Sequence, residues 1–123
     1  GVDTWFMESV LKFRRVVDSI TLTAVLPCAT QADRWPPAAQ ARYHELLDRC
    51  DRVLLLQEAY TRDCMLSRDR YLVDHTDCLI AVYDGSDTGG TAYTVRYARS
   101  VGKPLYIIDP AQAYDTFLLP DSR

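Results

Sequence analysis

Apolar residues recur along this chain in two rhythms. Some segments repeat them every three or four positions, the period of one helix face, and others hold them in short, nearly unbroken runs. The opening stretch GVDTWFMESVLKFRR reads as an amphipathic helix. Trp5, Met7, Val10, Leu11 and Arg14 trace its stripe, Val2 and Phe6 widen it, and Asp3 is the expected N-cap. SITLTAVLP (19–27) reads as a strand ended by Pro27, and CATQADRWPP as a polar loop. Residues 38–50 are helical, with Ala39, Tyr43, Leu46, Leu47 and Cys50 at helical spacing. DRVLLLQE (51–58) is a short apolar run and therefore a buried strand. A second amphipathic helix runs from about Cys64 to His75 through Met65, Arg68, Tyr71 and Leu72. DCLIAVYDG (77–85) is the third strand, and GGTAYTVRYARSVG (89–102) is a helix that Gly102 stops. KPLYIIDP (103–110) is the fourth strand, and residues 111–123 form a tail with apolar residues but no clear period.

Helices alternating with unbroken apolar strands predict an α/β fold, a parallel sheet with helices on both faces and right-handed crossovers. Ligands of such sheets bind beyond the carboxyl ends of the strands. That rule singles out the loops PCATQADRW, QEAYTRD, YDGSDTGGT and the stretch after IID.

Composition narrows the picture. The chain has 123 residues, 48% hydrophobic and 25% charged, which is ordinary for a globular protein. That length suits one domain rather than two independent cores. The formal net charge of −3 argues against a partner held mainly by nucleic-acid electrostatics. No run approaches the roughly 20 apolar residues of a membrane span. Cys28, Cys50, Cys64 and Cys78 form no CxxC pair and have no histidine at ligand spacing, so they read as reduced structural thiols of a cytoplasmic protein, with no metal site. His44 and His75 stand alone.

The stretch YDGSDTGGTAYTVRYA carries the strongest local signal. Gly89 and Gly90 allow close backbone approach and positive φ, the N–H groups opening the following helix favour an anion, and Thr91 adds a hydroxyl. Against this, glycine in a strand-to-helix turn can serve geometry alone. The stretch is neither a P-loop nor GxGxxG. Asp84 and Asp87 flank it, and either accept ribose hydroxyls or do the turn and cap work that aspartate favours. Arg62, Arg68 and Arg70 offer phosphate clamps, or else pair with Asp63, Asp69 and Asp74 on a solvated helix face. Trp35 either stacks on a base or covers a sheet edge. No Ser/His/Asp arrangement is assignable, so no catalytic residue is named.

In order along the chain, GVDTWFMESVL, AVLPC, RVLLLQEAYTRDCMLSRDRYLVDHTDCLIAVYDG and TGGTAYTVRYARSVGKPLYIID resemble the YpsA-like branch of the SLOG superfamily, over residues 1 to about 110. That superfamily includes the LOG phosphoribohydrolases and the DNA-processing protein A domain. The resemblance implies a Rossmann-like, doubly wound, mainly parallel sheet that binds a nucleotide or an ADP-ribose-like derivative, with no cofactor and with paired subunits. It places Gly89, Gly90 and Thr91 at the phosphate, adds Gly1 and Asp3 from a small-residue loop running into G-x-D, and adds Arg68.

Two departures bear on function. LOG enzymes carry a GTxEE pattern whose Glu supports cleavage of the N-glycosidic bond, whereas here Thr91 is followed by Ala92, Tyr93 and Thr94. A sensing domain is therefore expected ahead of a LOG-like hydrolase of nucleoside monophosphates, and a non-catalytic interaction module with a vestigial pocket is the third reading. The family pattern also opens with a strand, a helix and another strand, roughly 35–45 residues at typical element lengths, before the point matched by Gly1. The expectation is a fragment, a short open reading frame or a chain completed by another, with poor stability as a monomer.

Overall fold

The computed structural model describes residues 1–112. Among these, helices and strands alternate in the order α1 (Val2–Phe13), β1 (Thr23–Leu26), α2 (Pro37–Arg49), β2 (Arg52–Leu55), α3 (Cys64–Asp74), β3 (Leu79–Val82), α4 (Gly90–Ser100) and β4 (Leu105–Ile108). Both ladders are parallel. Thr23 stands opposite Arg52 and Leu26 opposite Leu55, while Leu79 stands opposite Leu105 and Val82 opposite Ile108. The alternation and the parallel pairing make this a Rossmann-like α/β fold, as the apolar pattern predicts. Most of the expected tail, residues 113–123, lies outside the described residues.

The strands are shorter than their apolar runs. Each pair ladders over four residues, and further bonds at each end tie in the flanks: Asp51 and Arg52 N–H to Leu22 O and Leu56 N–H to Leu26 O in the first pair, Leu79 N–H to Pro104 O and Tyr83 N–H to Ile108 O in the second. Among the described residues the four strands form two two-stranded sheets, β1-β2 and β3-β4. This corrects the expectation that 51–58 is a buried strand. Val53 is 44% exposed and Leu55 41%: two residues apart, they share one face of the sheet, and that face is open, whereas Leu54 on the opposite face is half-buried. An apolar run shows that a strand forms, and leaves open which strand lies beside it.

The packing groups residues into two compact units, Gly1–Cys64 and the chain from Met65 onward. In the first, Leu11 of α1, Leu22 and Leu46 of α2 form the core, with Met7, Val10 and Cys50 against it. These are the inward positions that helical spacing predicts for α1 and α2. Asp51 fastens the unit's polar edge: its Oδ2 accepts from Leu22 N–H at 2.7 Å and from Arg14 Nη1 at 2.7 Å, while Arg14 Nη2 donates to Arg49 O. Gly1, not Asp3, is the N-cap of α1; Asp3 sits in the first turn, where a carboxylate complements the helix dipole. Trp5, Phe6 and Phe13 lie on the outer side of α1 and are exposed, so Trp5 is not part of the buried stripe.

In the second unit Ala81, Val95 and Leu105 form the core, flanked by Leu79, Tyr83 and Ile107. Helix α4 lies on this sheet through Ala92, Val95 and Ala98, whose 3-residue spacing keeps small side chains on one face. Gly102 ends the helix as predicted. Its φ is +72°, its N–H donates to Arg99 O and Lys103 N–H donates to Ala98 O, which together make a Schellman motif.

Candidate nucleotide-binding turn

Strand β3 ends at Val82, and the chain then crosses Tyr83–Gly89 before α4 begins. Two glycines shape this crossing, Gly85 at φ +88° and Gly89 at φ +102°. Gly89 is the N-cap, with ψ 171°, a combination open in practice to glycine alone. Gly90 differs from the expectation that both glycines of the pair use their freedom. It is the first residue of α4 and has no positive φ. Tyr93 N–H donates to Gly89 O at 3.1 Å. The N–H groups of Gly90, Thr91 and Ala92 therefore precede the intrahelical ladder and have no acceptor within the helix.

A pocket of about 250 Å³ opens at this point, lined by Val82, Tyr83, Asp84, Ser86, Thr88, Gly89, Gly90, Thr91 and Pro110. It lies at the carboxyl ends of β3 and β4, where parallel sheets hold ligands. Of the six residues expected on phosphate, Gly89, Gly90 and Thr91 line it. Arg68 lies on α3 of the same unit and is not among the lining residues. Gly1 and Asp3 belong to the first unit, where both are exposed at the start of α1.

The two aspartates separate. Asp84 lines the pocket, and its Oδ1 accepts from Ser86 N–H at 2.9 Å. That bond is the turn chemistry weighed against ribose binding, and it lowers the Asp84 carboxyl below the ordinary carboxylate range, with a smaller contribution from the Ser86 side chain. The remaining lone pairs of a carboxylate leave room for a second donor. Asp87 is not among the lining residues; its carbonyl accepts from Arg96 Nη1 at 3.0 Å. Tyr83 stiffens the rim by donating its hydroxyl to Ser86 O.

The arginines of α3 neither cluster at the pocket nor all pair with neighbouring acids. Arg68 Nε donates to Asp69 Oδ1 at 2.7 Å. Arg70 donates to the Tyr93 hydroxyl at 2.9 Å and to Ser67 Oγ at 3.4 Å. Asp74 accepts instead from the Tyr97 hydroxyl at 2.8 Å, which raises the tyrosine's pKa. Asp69 pairs with Arg68 as the solvated-face reading expects, and sequence reasoning missed only its second contact. Its Oδ2 accepts from Thr94 Oγ1 at 3.1 Å and lies 4.0 Å from where a Gly90 Cβ would stand. No spacing rule links positions 69 and 94, because the contact exists only once α3 and α4 pack.

Trp35 packs edge-on against Tyr43 with ring centroids 5.2 Å apart. All four cysteines are free thiols. His75 stacks on Tyr71 at 3.8 Å. Among the described residues no cluster of metal-ligating side chains occurs, and no helix is long and apolar enough to cross a membrane.

Alternating helices and parallel strands with a glycine turn into α4 define a Rossmann-like α/β domain. Residues 1–113 match the family model described as the YspA SLOG family, and the chain belongs to that family. It is similar to a UPF0398 protein of Halalkalibacterium halodurans, 29% identical over 101 residues, or 80% of this chain and 53% of that protein. A UPF0398 protein of Brevibacillus brevis is 24% identical over 118 residues, 94% of this chain and 63% of that protein. A third, from Lysinibacillus sphaericus, is 23% identical over 100 residues, 80% and 56% respectively. The chain thus spans between about half and two thirds of the length of the curated relatives it matches.

Proposed function

We propose that the domain binds a nucleotide or a nucleotide derivative of the ADP-ribose type, with a phosphate at the turn into α4. The observation that carries this reading is the combination at one point of a glycine-only N-cap, three N–H groups ahead of the helical ladder, and a pocket of about 250 Å³ beside them. The lining holds one charged side chain, Asp84. Anion attraction at the turn therefore comes from backbone dipoles, and the carboxylate suits a hydroxyl donor such as ribose better than a phosphate. A ligand with both groups fits that division.

Binding without turnover is the preferred form of this reading. Helix α4 brings no carboxylate near the pocket at the three positions after Thr91, and general acid–base help of that kind is typically worth ~10²–10⁴-fold in rate. A thermal-shift panel of AMP, ADP, ADP-ribose and NAD tests the proposal. A ligand present at a hundred times its Kd stabilises by about 2.7 kcal/mol, which is several degrees for a chain of this size. No shift with any of the four contradicts it. Release of free base from AMP would support the hydrolase instead.

A further inference from the structure

Arg68 and Asp69 are neighbours in sequence, and their contact is easily taken for a surface ion pair. The structure shows something more constrained. Both side chains are largely covered, at 16% and 18% exposure. The Asp69 carboxylate divides its oxygens: Oδ1 takes Arg68 Nε–H at 2.7 Å, and Oδ2 takes the Thr94 hydroxyl at 3.1 Å. Thr94 in turn donates to Gly90 O at 2.8 Å, a three-centre arrangement for a single hydroxyl hydrogen. Asp69 is therefore tied to the first turn of α4, with Oδ2 4.0 Å from the Gly90 Cβ position.

Binding through Nε has a consequence for the guanidinium. A guanidinium carries five N–H donors in a fixed plane. Asp69 uses the one at Nε, and among the described residues the terminal nitrogens of Arg68 make no hydrogen bond. The plane is held through Nε, and the donors of the terminal nitrogens remain unspent among the described residues.

We infer that Asp69 is a positioning residue: it anchors Arg68 to the first turn of α4 so that the guanidinium, which lies outside the pocket lining, meets a second oxyanion of a ligand that reaches beyond the turn. This rests on the nucleotide reading above. Asp69 itself touches no ligand, and its own charge is offset by Arg68. Without the carboxylate, Arg68 keeps its charge but loses its fixed orientation, and the ordering of a long side chain then falls on the binding step.

A double-mutant cycle read by calorimetric titration of ADP-ribose tests this. Asp69→Ala in the otherwise unchanged chain is expected to weaken binding about tenfold, the scale of one charge-assisted hydrogen bond. In an Arg68→Ala background the same change is expected to cost no more than about twofold, because nothing remains to be aimed. Equal losses in both backgrounds would show that Asp69 acts by supporting α4 alone and would overturn the inference, as would no loss in either. If Asp69→Ala does not fold, Asp69→Asn takes its place in the cycle. It keeps the shape and one acceptor oxygen, and the same dependence on Arg68 is expected with a smaller loss. Failure of the unchanged chain to bind ADP-ribose, AMP, ADP or NAD would instead overturn the nucleotide reading, and the inference with it.

Discussion

The two adjacent glycines of the turn should respond to the same substitution with opposite signs. Gly89 sits at φ +102°, ψ 171°, and nothing lies within 4 Å of the position an added Cβ would take. Gly89→Ala therefore meets no clash, and its cost is purely conformational, about 1–3 kcal/mol for a non-glycine residue held in that region. Gly90 is the first helical residue, has no positive φ, and a Cβ there would make an ordinary 4.0 Å contact with Asp69 Oδ2. Gly90→Ala removes unfolded-state freedom and is expected to stabilise by about 0.4–1 kcal/mol. At about 4 °C per kcal/mol for a chain of this size, calorimetry should show Tm falling by roughly 4–12 °C for Gly89→Ala and rising by roughly 2–4 °C for Gly90→Ala. Urea titration supplies the same comparison as a shift in midpoint at constant slope. Two equal effects, or a harmless Gly89→Ala, would refute the assignment of the strained conformation to Gly89.

Other consequences follow from single side chains. Leu105 is fully buried against Ala81 and Val95, so Leu105→Ala should cost about 2–5 kcal/mol in denaturant titration. The Asp51 carboxyl is held below the ordinary carboxylate range, first by the Leu22 N–H and then by Arg14. A depressed pKa gives stability that is complete above the unfolded value and is lost as pH falls through the folded one. The Tm gap between the unchanged chain and Asp51→Asn should thus be constant above about pH 5 and narrow below about pH 4; a gap that widens in acid would contradict this. Asp84→Ala should weaken ADP-ribose binding about three- to tenfold while leaving inorganic phosphate binding unchanged, and an equal effect on both would assign Asp84 to turn geometry alone.

What the sequence made legible, and what it hid, divides along a physical line. Residues whose role depends on their own neighbours were readable: the inward stripe of α1 at Met7, Val10 and Leu11, the αL stop at Gly102, and the glycine turn ahead of α4. Periodicity and backbone stereochemistry act over a few residues, so a single sequence displays them. Contacts that exist only after packing were hidden. Asp69 meets Thr94 across 25 positions, and Tyr97 rather than an arginine claims Asp74. Strand pairing was hidden for the same reason, because LIAV and VLLL look alike whether or not they share a sheet. Asp3 and Gly1 were distinguishable only by backbone conformation, since both residue types serve as N-caps.

The claim on which the functional account turns is that the N–H groups of Gly90, Thr91 and Ala92 hold a ligand phosphate. Titration of the 15N-labelled chain with ADP-ribose, followed by amide chemical shifts, addresses it directly. The account predicts saturable shifts largest at Gly89–Ala92, with smaller ones at Asp84 and Ser86. Shifts centred elsewhere, or none at millimolar ligand, would contradict it.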